Sequence, residues 1–405
     1  MTEARLGVWW WDGTSVATID GDGPIVRLTY TPDALDRWPA NTPLLSCCLP
    51  VRPGAMDAGP FMRGLLPEGQ HLAGVAAAAG LAVTDTTGLL ARYGRDVAGA
   101  LVIAPEFPGP RPGHLVGYTA ETLAEEVTGM ADTPLGVHDD SELSIAGLQD
   151  KLLLVRTDDG WSRPANGAPS THILKLDDRR HPGLVAAEAA CLRIAKALDL
   201  TNIDVEETTI GDIECLIVSR FDRRHSADGT IERIHQEDLS QATGREPTMK
   251  YERSGGPTLK DAAELLDAFS AQPAEALDRL VVQVTFAVLI GNADAHGKNL
   301  AFLHMGDKVE AAPLYDQVPT VLWPNLRREP ALSIGPRVTS IHQVTSDDII
   351  AEAKLWSHSA ARARSVVLST AERARIAAQD IDHDDVALLV RRNADRLLTS
   401  KRLSG

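Results

Sequence analysis

Asp294, Asn299 and Asp316 are spaced for phosphoryl transfer. An Asp followed five residues later by an Asn, and seventeen further by a second Asp, is the arrangement by which phosphotransferases set one carboxylate against an acceptor hydroxyl and two hard oxygen ligands around the metal that accompanies ATP. Here the residues fall in Gly291-Asn-Ala-Asp-Ala-His-Gly-Lys-Asn299 and Pro313-Leu-Tyr-Asp316. Asp294 would accept or orient the acceptor hydroxyl, and Asn299 and Asp316 would hold Mg²⁺. His296 has two readings of equal weight: it orients Asp294 by a hydrogen bond, or it is structural. An Asn/Asp/Gly helix stop accounts for Asn292 and Gly297. It does not account for the spacing to Asp316.

Elements in the right order must position such a set. A loop at Ser144-Ile-Ala-Gly-Leu-Gln-Asp-Lys151 precedes an apolar strand over Leu152–Arg156, a turn at Asp158-Asp-Gly160 and a strand over His172–Leu176. A helix from about Gly183 to Leu200 follows, then strands near Ile203–Thr209 and Ile213–Ser219. This is the strand–strand–helix–strand–strand order of a kinase small lobe, and the pattern from Ile231 onward is mostly helical, as in a large lobe. In the helix, Leu184, Cys191, Leu192, Ala195 and Leu198 form one apolar stripe. Glu188 lies in that stripe, and a core-facing carboxylate needs a cation. Lys175 on the preceding strand is the candidate, the pairing by which kinases hold a Lys against ATP phosphates. Read alone, each is an ordinary residue, a solvated strand lysine and a helix-edge glutamate. The loop is weaker evidence. Gly147 alone makes no glycine-rich or Walker signature, and by itself the segment is a surface turn with Ser144 as its cap. A phosphate wrapped by its backbone N–H groups and the Lys151 ammonium is the alternative.

Composition sets the limits. The 405 residues allow two or three domains. Four prolines within Pro105–Gly113 resist helix and strand and mark a first boundary. Before it, strand-like runs at Arg5–Trp11, Ser15–Ile19, Ile25–Tyr30 and Ala100–Ala104 flank an Ala-rich, more helical part. The longest apolar run, Leu280–Ile290, is short of the ~20 residues a bilayer demands, so it reads as a buried helix and no membrane association is expected. The N-terminus has neither the basic region nor the apolar core of a signal peptide, which makes the cytoplasm the simplest location. Adjacent Cys47 and Cys48, with only two further cysteines, suit no disulfide framework. A net charge of −16 opposes direct, broad contact with nucleic acid.

Eight segments in one order carry a resemblance. They are Arg63-Gly-Leu-Leu-Pro-Glu-Gly69, Gly94-Arg-Asp-Val-Ala-Gly-Ala100, Ser144–Lys151, Thr171-His-Ile-Leu-Lys175, Arg220-Phe-Asp-Arg223, His235-Gln-Glu-Asp238, Gly291–Asn299 and Tyr315-Asp-Gln-Val-Pro-Thr320. Together they resemble the HipA family of bacterial serine/threonine kinases, the toxin halves of HipBA-type toxin–antitoxin modules. The resemblance implies an α+β, two-lobed protein-kinase-like fold, with a β-rich HipA-type N-terminal subdomain over residues 1–108, a small lobe over 109–225 and a mostly helical large lobe over 226–405.

It also implies roles. Asp294 matches the catalytic Asp, Asn299 and Asp316 the Mg²⁺ ligands, Lys175 the ATP-binding lysine, and Ala146, Gly147 and Lys151 the phosphate loop and its closing lysine. Ser219-Arg220-Phe221-Asp222 matches the hinge that holds adenine through backbone groups, with Asp222 near the ribose. Ser219 departs from the acidic residue of some relatives, which matters little if the backbone holds adenine. Ser144 matches a serine whose autophosphorylation adds ~−1.5 to −2 charge beside the nucleotide phosphates and displaces the loop. The implied substrate is an aminoacyl-tRNA synthetase, with glutamyl-tRNA synthetase leading. The implied partner is a HipB-like helix-turn-helix antitoxin, through which DNA is reached only indirectly. Two alternatives stay open: a small-molecule phosphotransferase, and a nucleotide-binding regulatory module without turnover. The intact set Lys175, Asp294, Asn299 and Asp316 opposes the latter.

Overall fold

Alternation of apolar and polar residues builds the first sheet. In the strand Ile25–Tyr30, Val26, Leu28 and Tyr30 are buried while Ile25 and Arg27 are exposed, the period-two pattern of a sheet with one covered face. The computed structural model describes residues 5–109, 113–130, 151–177, 180–226, 229–335 and 338–399. They form two units: residues 1–177, 206–237 and 244–247, and residues 178–205, 238–243 and 248–405.

The first unit contains two sheets. One is β1 (Leu6–Trp10), β2 (Ser15–Asp22), β3 (Ile25–Tyr30), β4 (Met56–Asp57) and β5 (Leu101–Ala104), ordered β4-β3-β2-β1-β5 with antiparallel neighbours. Helices α1 (Pro32–Arg37), α2 (Gly59–Gly64), α3 (Gly69–Ala78) and α4 (Thr86–Tyr93) contribute Ala34, Phe61, Met62, Val75, Leu89 and Leu90 to its core. The other is β6 (His114–Gly117), β7 (Lys151–Thr157), β8 (Gly160–Ala165), β9 (His172–Leu176), β10 (Val205–Ile210) and β11 (Ile213–Ser219), ordered β10-β11-β9-β7-β8-β6. Helix α5 (Ala120–Gly129), opened by a Thr119/Thr122 capping box, lays Leu123 and Val127 on Leu152, Leu154, Leu174, Leu176, Cys215 and Ile217. Register therefore sends the alternate residues, Lys151 and Lys175 among them, to the opposite face.

The second unit is mostly helical: α6 (Leu184–Ala197), α7 (Leu239–Ala242), α8 (Leu259–Phe269), α9 (Pro273–Ile290), α10 (Ser346–Leu355), α11 (Ala360–Ala377) and α12 (Asp384–Thr399), with a hairpin of Ala301–Met305 and Lys308–Ala311. Helix α9 starts on Pro273 and is buried almost throughout its last three turns, the environment its apolar run requires. It stops at Gly291, whose φ of +69° places it in the left-handed region. Asn393 of α12 donates to the Val288 and Leu289 carbonyls at 3.2 and 2.9 Å, satisfying acceptors that the helix end leaves open. Among the described residues no helix is long and apolar enough to cross a membrane.

Gly291 has no substitute. A Cβ there would lie 2.4 Å from Val321 Cγ2, in addition to the left-handed cost of about 1–2 kcal/mol. Gly291→Ala is expected to lower the urea midpoint at unchanged m-value, with overpacking adding about 1–3 kcal/mol. Adding Val321→Ala should recover only the steric part. An unchanged midpoint in the single variant would refute this account.

Candidate active site

The chain leaving α9 is clamped by backbone and side-chain hydrogen bonds, which holds three polar residues in a fixed turn. Thr320 Oγ1 accepts from Ala293 N at 2.9 Å and donates to the Gly291 carbonyl at 3.2 Å. Asn292 Oδ1 accepts from Asp294 N at 2.9 Å, and Asp294 O accepts from His296 N at 2.8 Å. Gly297 N donates to Lys250 O at 2.9 Å, an approach so close that a Cβ on Gly297 would meet Pro257 at 2.6 Å. Lys298, buried, pairs with Asp238 at 3.1 Å, and its carbonyl accepts from the Tyr315 hydroxyl at 2.5 Å. Motif residues from two other segments, together with Lys250, thus fix one loop.

Asp294 is reached by solvent yet closely surrounded by protein. That crowding raises its carboxyl above the usual carboxylate range, against a hydrogen bond from the Tyr251 hydroxyl at 2.8 Å and with repulsion from Asp316. Asn299 donates its amide to the Asp294 carbonyl at 3.3 Å, so Asp294, Asn299 and Asp316 are neighbours as their spacing predicts. Asp316 adopts φ +54°, a left-handed conformation that is uncommon outside glycine but several-fold enriched for Asp, and typical of sites that re-aim a side chain. Two carboxylates and an amide oxygen form a hard-oxygen donor set, and the electrostatic repulsion between the acids is what a divalent cation relieves. The residues fit Mg²⁺.

Tyr251 carries no signature in the sequence, being one aromatic in a loop, and it takes the place imagined for His296. The His296 ring instead packs edge-on against Tyr251 at 5.2 Å, and its Nδ1 is buried without a hydrogen-bond partner among the described residues. Burial first, then Lys250, pushes the imidazole down to about 3, so it is neutral near pH 7. Of the two readings, the structural one stands. Arg253 lies over the other ring at 4.3 Å.

In the first unit, Lys151 and Lys175 are directly opposed across β7 and β9. Opposed residues of an antiparallel pair share a face, and two ammonium groups side by side suit a polyphosphate. Lys151 is buried and Lys175 half-buried. Ser144, Ala146 and Gly147 lie outside the described residues. Glu188, in the second unit, is buried on α6 as its place in the apolar stripe predicts.

The side chains of Arg220, whose backbone was expected to face adenine, and of Asp222, expected near the ribose, lie in one buried ion network. Arg220 donates to Asp222 at 2.9 and 2.7 Å, Arg223 to Asp222 at 2.8 Å and to Asp96 at 2.9 Å, and Gly99 N to Asp222 at 2.7 Å. Arg233 stands 3.6 Å from Asp96, and Ser170 donates to Asp96 at 2.6 Å. All these side chains are almost fully enclosed. The Asp222 carboxylate is thus committed to a protein network, and Phe221 beside it is half-buried. Arg220 N, bonded to Thr171 O at 2.9 Å, anchors the backbone of this segment.

Comparison with known proteins bears on this geometry. The HipA-like C-terminal domain family matches residues 143–383, and the HipA N-terminal domain family matches residues 6–104. The chain belongs to the HipA family. A putative kinase, Y4mE of Sinorhizobium fredii, is 40% identical over 84% of this chain and 83% of its own. The serine/threonine-protein kinase toxin HipA of Shewanella oneidensis is 30% identical over 68% of this chain and 66% of its own. A chain in the solved complex of HipA, HipB and operator DNA from S. oneidensis superposes with a TM-score of 0.80 at 24% identity, covering 97% of this chain and 96% of that one. The fold is therefore the kinase-like HipA fold, and this HipA-family chain is a kinase. The resemblance drawn from the eight segments holds.

Proposed function

We propose that this HipA-family chain is an ATP- and Mg²⁺-dependent serine/threonine-protein kinase, the toxin of a type II toxin–antitoxin module. The observation that carries the reading is the clamped loop that sets the Asp294 carboxylate beside Asn299 and Asp316. Asp294 accepts the proton of a serine hydroxyl or orients it for in-line attack. Asn299 and Asp316 hold Mg²⁺, which when bound neutralises charge on the phosphates. Lys151 and Lys175 hold the polyphosphate, and the backbone of residues 219–221 holds adenine.

The proposed substrate is an aminoacyl-tRNA synthetase, with glutamyl-tRNA synthetase first to be tried, and Ser144 is the proposed autophosphorylation site. A HipB-like antitoxin is the proposed partner, which the acidic charge of this chain favours for any action at DNA. Phosphosite mapping after incubation with Mg-ATP, with and without the synthetase, tests the substrate and Ser144 together. Phosphate on the synthetase and on Ser144, absent from Asp294→Ala, is the expected result. Transfer to free sugars or other small hydroxyl compounds but never to protein would overturn it.

A further inference from the structure

Tyr251 holds a hydroxyl against the carboxylate that is proposed to receive a substrate's proton. Its Oη donates to Asp294 Oδ1 at 2.8 Å, inside the ~2.6–3.2 Å over which a general base takes a proton. The turn that carries Tyr251 is tied to the Asp294 loop on both sides. Before it, the Lys250 carbonyl accepts from Gly297 N at 2.9 Å; after it, Glu252 N donates to Ala331 O at 3.1 Å, and Ala331 N donates to Ala293 O at 2.9 Å. The turn then closes on itself. The Tyr251 carbonyl accepts from Ser254 N at 2.9 Å and Gly256 N at 3.0 Å, and a Cβ on Gly256 would lie 2.2 Å from the Met249 carbonyl oxygen. Hydroxyl and base are thus fixed together before any substrate arrives, which removes much of the entropic part of a barrier.

A purely structural hydrogen bond accounts for this less well. Thr320, Asn292 and Lys250 already shape the loop, and the bond from Tyr251 to Asp294 is exposed to solvent, where water would serve either group almost as well. The surroundings also suit a phosphate on the ring oxygen. Arg253 stands over the ring at 4.3 Å and Lys250 Nζ at 5.9 Å, and both cations act on Asp294, so they lie within electrostatic reach of the hydroxyl bonded to it. Arg253 is exposed, and among the described residues no carboxylate pairs with it. An exposed guanidinium of that kind is the usual counter-ion of a phosphorylated side chain.

We propose that Tyr251 is phosphorylated by its own chain, in cis, as a modification site separate from Ser144. The proposal rests on Asp294 being the catalytic carboxylate. In the step, Tyr251 Oη forms a bond to the γ-phosphorus of ATP, and the bond from that phosphorus to the β–γ bridging oxygen breaks. ADP leaves with the electron pair of the broken bond, and the phenolic proton passes to Asp294 Oδ1.

The test mixes the unlabelled parent with a heavy-isotope-labelled Asp294→Asn chain, which lacks the base but keeps Tyr251 as an acceptor. After incubation with Mg-ATP, phosphosites are mapped on each chain by mass and ADP is measured. Phosphate on Tyr251 is expected on the parent and absent from the labelled chain, forming with a first-order rate constant that does not change on dilution. Equal phosphate on Tyr251 of the labelled chain would show transfer between molecules and overturn the proposal. ADP formed while Tyr251 stays unmodified, with phosphate on other residues or on none, would overturn it and leave the assignment of Asp294 standing. Neither ADP nor phosphate on any residue would overturn both.

Discussion

Asp294→Asn is expected to lower phosphoryl transfer by about 10²–10⁴-fold, the range for removing one positioned acid–base group, while the loop around it stays in place. Asn has the shape of Asp and still accepts the Tyr251 hydroxyl bond seen at 2.8 Å. The contacts that shape the loop come from Asn292, Thr320, Lys250 and Tyr315, and none uses the Asp294 carboxylate. What is lost is a carboxylate able to take the proton of the attacking hydroxyl. Transfer from labelled ATP should fall while nucleotide affinity and urea midpoint hold. A rate within tenfold of the parent would show that Asp294 only positions. Simultaneous loss of fold and rate would show that the loop depends on its charge.

The sequence revealed the regular elements where periodicity and burial agreed. His172–Leu176 and Ile213–Ser219 form strands with the predicted bounds, because each is a short apolar run closed by turn chemistry. The stretch Leu280–Ile290 is the buried end of α9. Elements with a weak or contrary signal went unseen. Strand β8 contains Pro164, which argues against an interior strand. Strand β6 is exposed along its whole length at a sheet edge, so it reads as part of the proline-rich linker before it. The site followed the same logic. Asp294, Asn299 and Asp316 were legible because their spacing along the chain is set by the chemistry. Tyr251 meets Asp294 across 43 residues, and Asp96 meets Arg223 across 127. Contacts of that range leave no local pattern. For the same reason the Gly94–Ala100 and Arg220–Arg223 segments were recognisable as motifs, the second with a hinge role implied, without their joint purpose as one ion network being visible.

That purpose supports the second large effect. Asp96→Ala is expected to destabilise the first unit by about 3–5 kcal/mol, the cost of breaking a buried ion network by removing one partner. Three guanidiniums, Arg220, Arg223 and Arg233, would then face Asp222 alone, and Ser170 would lose its acceptor. Burial pushes the Asp96 carboxyl up, but Arg223, Arg220 and Arg233 more than offset it, and the group rests at about 2. Asp222 is held still lower by Arg220 and Arg223 against the same burial. Both folded-state values lie below the ~3.9 of an unfolded Asp. Their contribution is therefore fully present above about pH 4 and is lost as pH falls from there towards 2.

The parent should accordingly lose stability over that acid range, and Asp96→Ala, already lacking one of the two carboxylates, should show a shallower fall. Urea midpoints measured between pH 2 and 7 give both quantities at once. Equal acid dependence in the two proteins would mean that other carboxylates control acid unfolding. A midpoint unchanged at pH 7 would mean that the network contributes no net stability. The segment at risk is also the one proposed to hold adenine, since Arg220 and Asp222 anchor the backbone that follows β11. At pH 7 a surviving fraction of folded Asp96→Ala should therefore bind ATP more weakly, with Asp294 chemistry intact once the nucleotide is bound.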